Sequence, residues 1–261
     1  MQKLLGVCYK MKNLSVLTVS VKSDLPKYLI KSFEKFKPSN LNINYIVIEN
    51  TNDTTYKDDI CSTHDNVTWV NNPIQNKPME GGSPAHANGL HFGLKYVSDD
   101  WVFICDHDTC VSDVTFFEEF FKKVDEGFDL IGVSYHPQNK VVHPNGMLVK
   151  TEIVKEVDLN PDGKWDTASK LTHFVGDNHY IFRNTWNDSS LVDIIDEPYK
   201  GWGKECGVDR CLNSNNNIMF IHLGRGTAKF SNLYHQAGKA SYQNWSDFVK
   251  GLLKKDIGEV L

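Results

Sequence analysis

The chain has 261 residues, of which 40% are hydrophobic, 11% aromatic and 23% charged, with a formal net charge of −5. That is the composition of one large globular domain, and it excludes fibrous and disordered classes. No apolar run approaches the roughly 18 residues of a membrane span, and the apolar stretch near Met1 is too short for a signal-peptide core.

Six cysteines are too few for a disulfide scaffold, and their spacings are not the paired C-x2-C of a zinc site. A soluble cytoplasmic protein with free thiols is expected. The charge is uneven: residues 1–37 carry a balance of +6 and the remainder −11. A basic N-terminal patch that touches a polyanion and a solvated helix face both fit this. Only three basic residues are Arg, and Lys and Asn abound, as expected of the product of an AT-rich genome, such as a viral one.

Taken in chain order, Leu14–Ser20 reads as a buried strand. A helix follows, capped by Ser23 or Asp24, with Pro26 in its first turn and Leu25, Leu29, Phe33 and Phe36 at helical spacing. Ile43–Ile48 is a second buried strand ending in Glu49, and Val67–Val70 a short third. Residues 71–88, rich in Pro, Gly and Asn, read as a long loop before a helix with Leu90, Leu94 and Val97 on one face. Trp101–Cys105 is a strand running straight into Asp106-His107-Asp108. Phe116, Phe117, Phe120 and Phe121 lie on the next helix, and Leu130–Ser134 is another strand. This rhythm predicts an α/β fold with a mainly parallel sheet. The second half reads as aromatic and Gly-rich loops (GMLVK, HFVGDNHYIF, PYKGWGKECG), a strand at Ile218–His222 and a closing amphipathic helix with Trp245, Phe248, Val249, Leu252 and Leu253 inward. The two halves are expected to share one sheet within a single domain, 1–261. About 1–110 would bind a nucleotide and about 111–261 would face an acceptor.

Asp106-His107-Asp108 is the sharpest feature. Ligands of open parallel sheets bind beyond the carboxyl ends of the strands. Two carboxylates at i and i+2 there can meet one hard divalent cation and its phosphates.

The order LSVLTVS, INYIVIENTND, AHANGLHFGLKYVSDDWVFICDHD resembles nucleotide-sugar glycosyltransferases of the GT-A fold, especially the family 2 type, over about residues 14–225. The resemblance implies a Rossmann-like three-layer α/β sandwich, a nucleoside-diphosphate sugar donor (UDP-linked first of all) and Mn²⁺ or Mg²⁺. It places Thr18, Val19, Ser20 and Glu49 at the base and ribose, and Asp106 and Asp108 at the metal and diphosphate. His86 stands where the family has Arg. Gly201–Cys206 resembles the G-W-G-x-E-D segment of galactosyltransferases, with Cys206 in place of Asp. That implies Trp202 as an acceptor-stacking residue and, as general base, Glu205 or Asp209 one helical turn later. A C-terminal His completes the metal shell in several such enzymes, and His222 fits it. Arg225 and Lys229 would neutralise the leaving diphosphate, and Asp177 would hold a sugar or acceptor hydroxyl.

The acceptor is expected to be a hydroxyl on a glycan, lipid or protein. A hydroxymethylated base in viral DNA, with Trp202 or Trp186 as a stacking surface, is the second reading. Two rival functions use the same residues. Val102–Cys110 also matches the D-x-D-x-T pattern of haloacid-dehalogenase-like phosphatases, with Asp106 as nucleophile. The departures at His86 and Cys206 would also suit a sugar-nucleotide-binding module without catalysis.

Overall fold

The computed structural model describes residues 11–74, 82–136, 140–161, 166–194, 209–224 and 242–254. A seven-stranded sheet forms the centre. Its strands are β1 (Asn13–Ser20), β2 (Asn42–Glu49), β3 (Val67–Asn71), β4 (Trp101–Asp106), β6 (Leu130–Gly132), β7 (Gly146–Lys150) and β8 (His179–Ile181), in the order β3-β2-β1-β4-β7-β6-β8. Only β7 runs antiparallel to its neighbours. A second, antiparallel sheet has the order β5-β10-β9, from Thr109–Val111, Ile218–His222 and Asp209–Leu212. Strands of both halves therefore share the main sheet, as expected.

Alternation along each strand feeds two cores. Leu14, Val16, Ile43, Val47 and Phe103 face one side, with α1 (Pro26–Phe36), α4 (Thr115–Asp125) and α7 (Tyr242–Lys254) packed over them. Leu17, Val19, Ile46, Ile48, Val102 and Ile104 face the other. There they meet α3 (Gly82–Gly93), α5 (Thr151–Glu156) and α6 (Ser169–Val175). A short α2 (Lys57–Cys61) precedes β3. The result is a three-layer α/β sandwich. The four phenylalanines of α4 are buried, and Trp245, Val249 and Leu252 of α7 are buried against the same core.

Three expectations need correction. Helix α3 starts at Gly82, well inside the segment read as a loop, with Pro84 in its first turn, where a proline is tolerated. A Cβ on Gly89 would lie 2.8 Å from both Val19 methyls and 2.9 Å from Asn50 Oδ1. A Cβ on Gly93 would lie 2.4 Å from Leu17 Cδ1. The two glycines let α3 sit directly on β1 and β2. GMLVK is strand β7 rather than a loop, and its Met147, Leu148 and Val149 are fully paired between β4 and β6. HYI is likewise strand β8. No helix among the described residues is long and apolar enough to cross a membrane.

Candidate metal centre and active site

The carboxyl ends of β1, β2, β4 and β6 open on one edge of the sheet. Asp106 ends β4, and Asp108 follows in a tight turn before β5. His107, between them, is buried at 5% exposure. β10 lies beside β5 and β9 with His222 in register with Thr109 on one side and Asp209 on the other. This brings the His222 imidazole over the turn. Its Nε2 is 3.3 Å from Asp106 Oδ2 and 3.4 Å from Asp108 Oδ1. One ligand atom from each of Asp106, Asp108 and His222 lies within 4.8 Å of the others.

The far nitrogen of the ring is also held. Nδ1 is 3.3 Å from Asp209 Oδ2 and 3.2 Å from Asn145 Nδ2. A carboxylate only accepts, so Nδ1 carries the proton shared with Asp209. Nε2 likewise faces only carboxylates and donates to them; a cation bound between the three side chains would displace that proton and leave a neutral imidazole oriented by Asp209. A histidine ligand backed by a carboxylate is the usual arrangement around a protein-bound metal. Two carboxylate oxygens and one imidazole nitrogen fit Mn²⁺, and suit it better than the all-oxygen preference of Mg²⁺ or Ca²⁺.

The charges follow from this packing. Burial alone would lower the His222 pKa, but Asp108, Asp106 and Asp209 together hold it well above its ordinary value. Burial would raise the Asp106 carboxyl. The hydrogen bond from His222 and the nearby His86 and His143 outweigh that and hold it well below the usual range. His86, standing in the expected Arg position, has its Nε2 3.7 Å from Asp106 Oδ1.

The predicted donor residues lie at the same edge but not on one face. Thr18 and Ser20 point to the α1 side, and Val19 to the α3 side against Gly89. The Thr18 hydroxyl is buried with no partner among the described residues. Glu49, in register with Ser20, is fully buried. It accepts from the backbone N–H of Lys22 (3.2 Å) and Thr51 (2.9 Å) and from the Thr51 hydroxyl (2.5 Å). Its carboxylate therefore ties the loop after β1 to the loop after β2. Burial, opposed by those hydrogen bonds, raises its pKa.

Asp209 begins strand β9 rather than lying on a helix, and its carboxylate is engaged by His222. Asp177 is exposed in the turn before β8. β8 runs parallel to β6, so Asp177 lies at the amino-terminal edge, away from Asp106. Trp202, Glu205, Cys206, Arg225 and Lys229 lie outside the described residues.

Sequence reasoning missed a group beside the triad. Asn145, just before β7, meets His222 through its side chain, and its N–H donates to His143 Nδ1 (3.2 Å). His143 Nε2 lies 3.6 Å from Asp166 Oδ2. Asp166 Oδ1 accepts from Ser83 on α3 and from Thr167 N–H (2.7 Å). Burial would raise the Asp166 carboxyl, but His143, Ser83 and Thr167 together hold it well below the usual range. In the sequence, Asp166-Thr167-Ala168-Ser169 reads only as a helix start, and nothing in it marks a site.

No protein-family model and no curated protein matches the sequence. Among solved structures, the chain is similar to glucosyl-3-phosphoglycerate synthase from Mycobacterium tuberculosis in complex with phosphoglyceric acid. The identity is 13%, over 65% of this chain and 70% of that one, with a TM-score of 0.48. It is also similar to S. aureus TarS in complex with UDP-GlcNAc, at 13% identity over 65% of this chain and 55% of that one, TM-score 0.47. A mannosyltransferase from Pyrobaculum calidifontis in complex with GDP-Man and Mn²⁺ shares 14% identity over 55% of this chain, TM-score 0.41. The aligned part is 46% of that mannosyltransferase, less than half its length.

Proposed function

We propose that the protein is a metal-dependent glycosyltransferase that moves a sugar from a nucleoside diphosphate, UDP first of all, to an acceptor hydroxyl. The observation that carries this reading is the meeting of Asp106, Asp108 and His222 at the carboxyl edge of a mainly parallel sheet. A divalent cation held there, Mn²⁺ before Mg²⁺, would supply the positive charge that a leaving diphosphate needs.

The chain's own residues supply the rest. Asp209 and Asn145 fix the His222 ring, and His86 sets a second imidazole against Asp106. Glu49 organises the loops after β1 and β2, where the nucleoside would lie. In the transfer, the acceptor oxygen bonds to the anomeric carbon, the bond from that carbon to the phosphate oxygen breaks, and the nucleoside diphosphate leaves. The hydroxyl proton passes to a carboxylate. Among the described carboxylates, Asp166 beside His143 is the one we assign to it. Glu205 and Asp209 are the candidates that the resemblance supplies.

The phosphatase reading places Asp106 as a nucleophile with an acidic partner set from a later strand. Imidazoles, from His222 and His86, face Asp106 instead, which favours metal and phosphate binding over attack. The acceptor remains a glycan, lipid or protein hydroxyl in this proposal, with the modified base as the alternative.

The test is donor hydrolysis. UDP-glucose, UDP-GlcNAc and GDP-mannose are incubated with MnCl2 or with EDTA, for the wild-type protein and for Asp108→Asn. Release of nucleoside diphosphate that needs both manganese and Asp108 supports the proposal. Release of inorganic phosphate from simple phosphomonoesters, with no turnover of any sugar nucleotide, would replace it with the phosphatase reading.

A further inference from the structure

Of the described tryptophans, Trp69, Trp101 and Trp245 pack on or in the main core. Trp186 belongs to no apolar cluster among the described residues, yet it is half-buried. Its backbone is clamped on both sides. Thr185 N–H donates to the Arg210 carbonyl, and Arg210 N–H donates to the Thr185 hydroxyl, both at 3.0 Å. Asn187 accepts from Tyr135 N–H at 3.0 Å and donates to the Tyr135 carbonyl at 2.7 Å. Trp186 is thus held between β9, which starts with Asp209, and the segment that leads to His143 and Asn145.

Its ring plane is steeply inclined to those of two imidazoles. His143 is 4.9 Å away at 88°, and His136 is 6.4 Å away at 76°. His136 Nδ1 is buried without a partner among the described residues. Asp166 lies just past His143. A large aromatic held rigid outside the core loses little entropy when something rests on it. Around it stand hydrogen-bonding groups, an imidazole nitrogen and a carboxylate. Among the described residues, no lysine or arginine lies over the indole.

We propose that Trp186 is the platform for the acceptor and that the acceptor presents a carbohydrate ring to it. A pyranose offers a C–H face to the indole and hydroxyls to His136 and Asp166 at its rim. The word acceptor rests on the glycosyltransferase reading, whereas binding of a sugar ring at Trp186 can be measured without it.

The experiment is saturation-transfer NMR with methyl β-glucopyranoside, methyl α-mannopyranoside, methyl β-galactopyranoside and hydroxymethyl-deoxycytidine, each in the presence of UDP and MnCl2. The expected result is binding of at least one glycoside through its ring C–H protons. Trp186→Ala should weaken it about tenfold, and Trp186→Phe less, in line with the energy of an aromatic contact. Thermal melting of each variant separates lost binding from lost folding, and Trp186→Leu replaces Trp186→Ala if that variant does not fold. The proposal is overturned if no glycoside binds the wild-type protein or if binding ignores Trp186. It is also overturned if only hydroxymethyl-deoxycytidine binds there, which would make the platform a nucleobase site. Calorimetry of UDP with MnCl2 on the same samples reports on the glycosyltransferase reading separately: its failure sinks that reading and leaves the sugar-platform result to be judged alone.

Discussion

Removing the Asp209 carboxylate should weaken manganese binding although Asp209 is not itself one of the three ligands. His222 Nδ1 has two neighbours, Asp209 Oδ2 at 3.3 Å and the Asn145 amide at 3.2 Å. Loss of the group that orients a histidine ligand typically costs about 10- to 100-fold in metal affinity. Here the lower end is expected for Asp209→Ala. The Asn145 amide can turn its oxygen to the ring nitrogen, because its other end meets the Ser134 hydroxyl, which both donates and accepts. That places the effect near tenfold, about 1.4 kcal/mol. Asp209→Asn keeps an acceptor and should lose only a few-fold, on the order of half that energy. Titration of Mn²⁺ followed by electron paramagnetic resonance of the free ion gives the affinity directly, and donor turnover at saturating MnCl2 should then be largely restored in both variants. Unchanged manganese affinity in Asp209→Ala, with turnover abolished at saturating metal, would refute the orienting role and make Asp209 the proton acceptor.

Asp166→Asn should lower kcat about 10²- to 10⁴-fold while leaving the affinity for UDP and manganese unchanged; if Glu205→Gln does this and Asp166→Asn does not, the proton goes to Glu205. Gly89→Ala gains about 1 kcal/mol of helix propensity but drives a methyl group into Val19 and Asn50. Overpacking should win by about 1–2 kcal/mol, seen as a fall in Tm of roughly 2–8 °C by calorimetry. For Glu49, burial raises the folded-state pKa above the unfolded one, so its ionisation penalty is present above the folded pKa and vanishes as pH falls through it. Urea unfolding at a series of pH values should show wild-type stability rising relative to Glu49→Gln from neutral pH towards acid, and a constant difference would contradict the assignment.

The parts of the fold legible in the sequence were those whose signal is local. Buried β-branched runs gave β1, β2 and β4, and helical spacing of Phe and Leu gave α1 and α4. β7 was missed because GMLVK is short and opens on the turn-like pair Asn145-Gly146, and its strand character comes only from pairing with β4 and β6. The start of α3 was missed because Gly, Ser, Pro and Asn read as a loop, although Pro84 in the first turn is compatible with a helix. At the site, Asp106 and Asp108 were legible from their position after a buried strand, and His222 from the resemblance. His143, Asn145 and Asp166 were not. They come from two separate segments, Asp166 reaching the triad only through His143, and each by itself reads as a turn or cap residue. Asp177 was read as a candidate, and the direction of β8 places it at the opposite edge.

The most direct test of the metal centre is calorimetric titration of UDP and GDP into the protein, each with MnCl2 and with EDTA, for the wild type and for Asp108→Asn and His222→Ala. Circular dichroism melts establish that the variants are folded. The account predicts that one nucleotide binds the wild-type protein only with manganese, and that each substitution removes the manganese-dependent part of that binding. Equal affinity in EDTA and MnCl2, or full manganese-dependent binding in both folded variants, would contradict it.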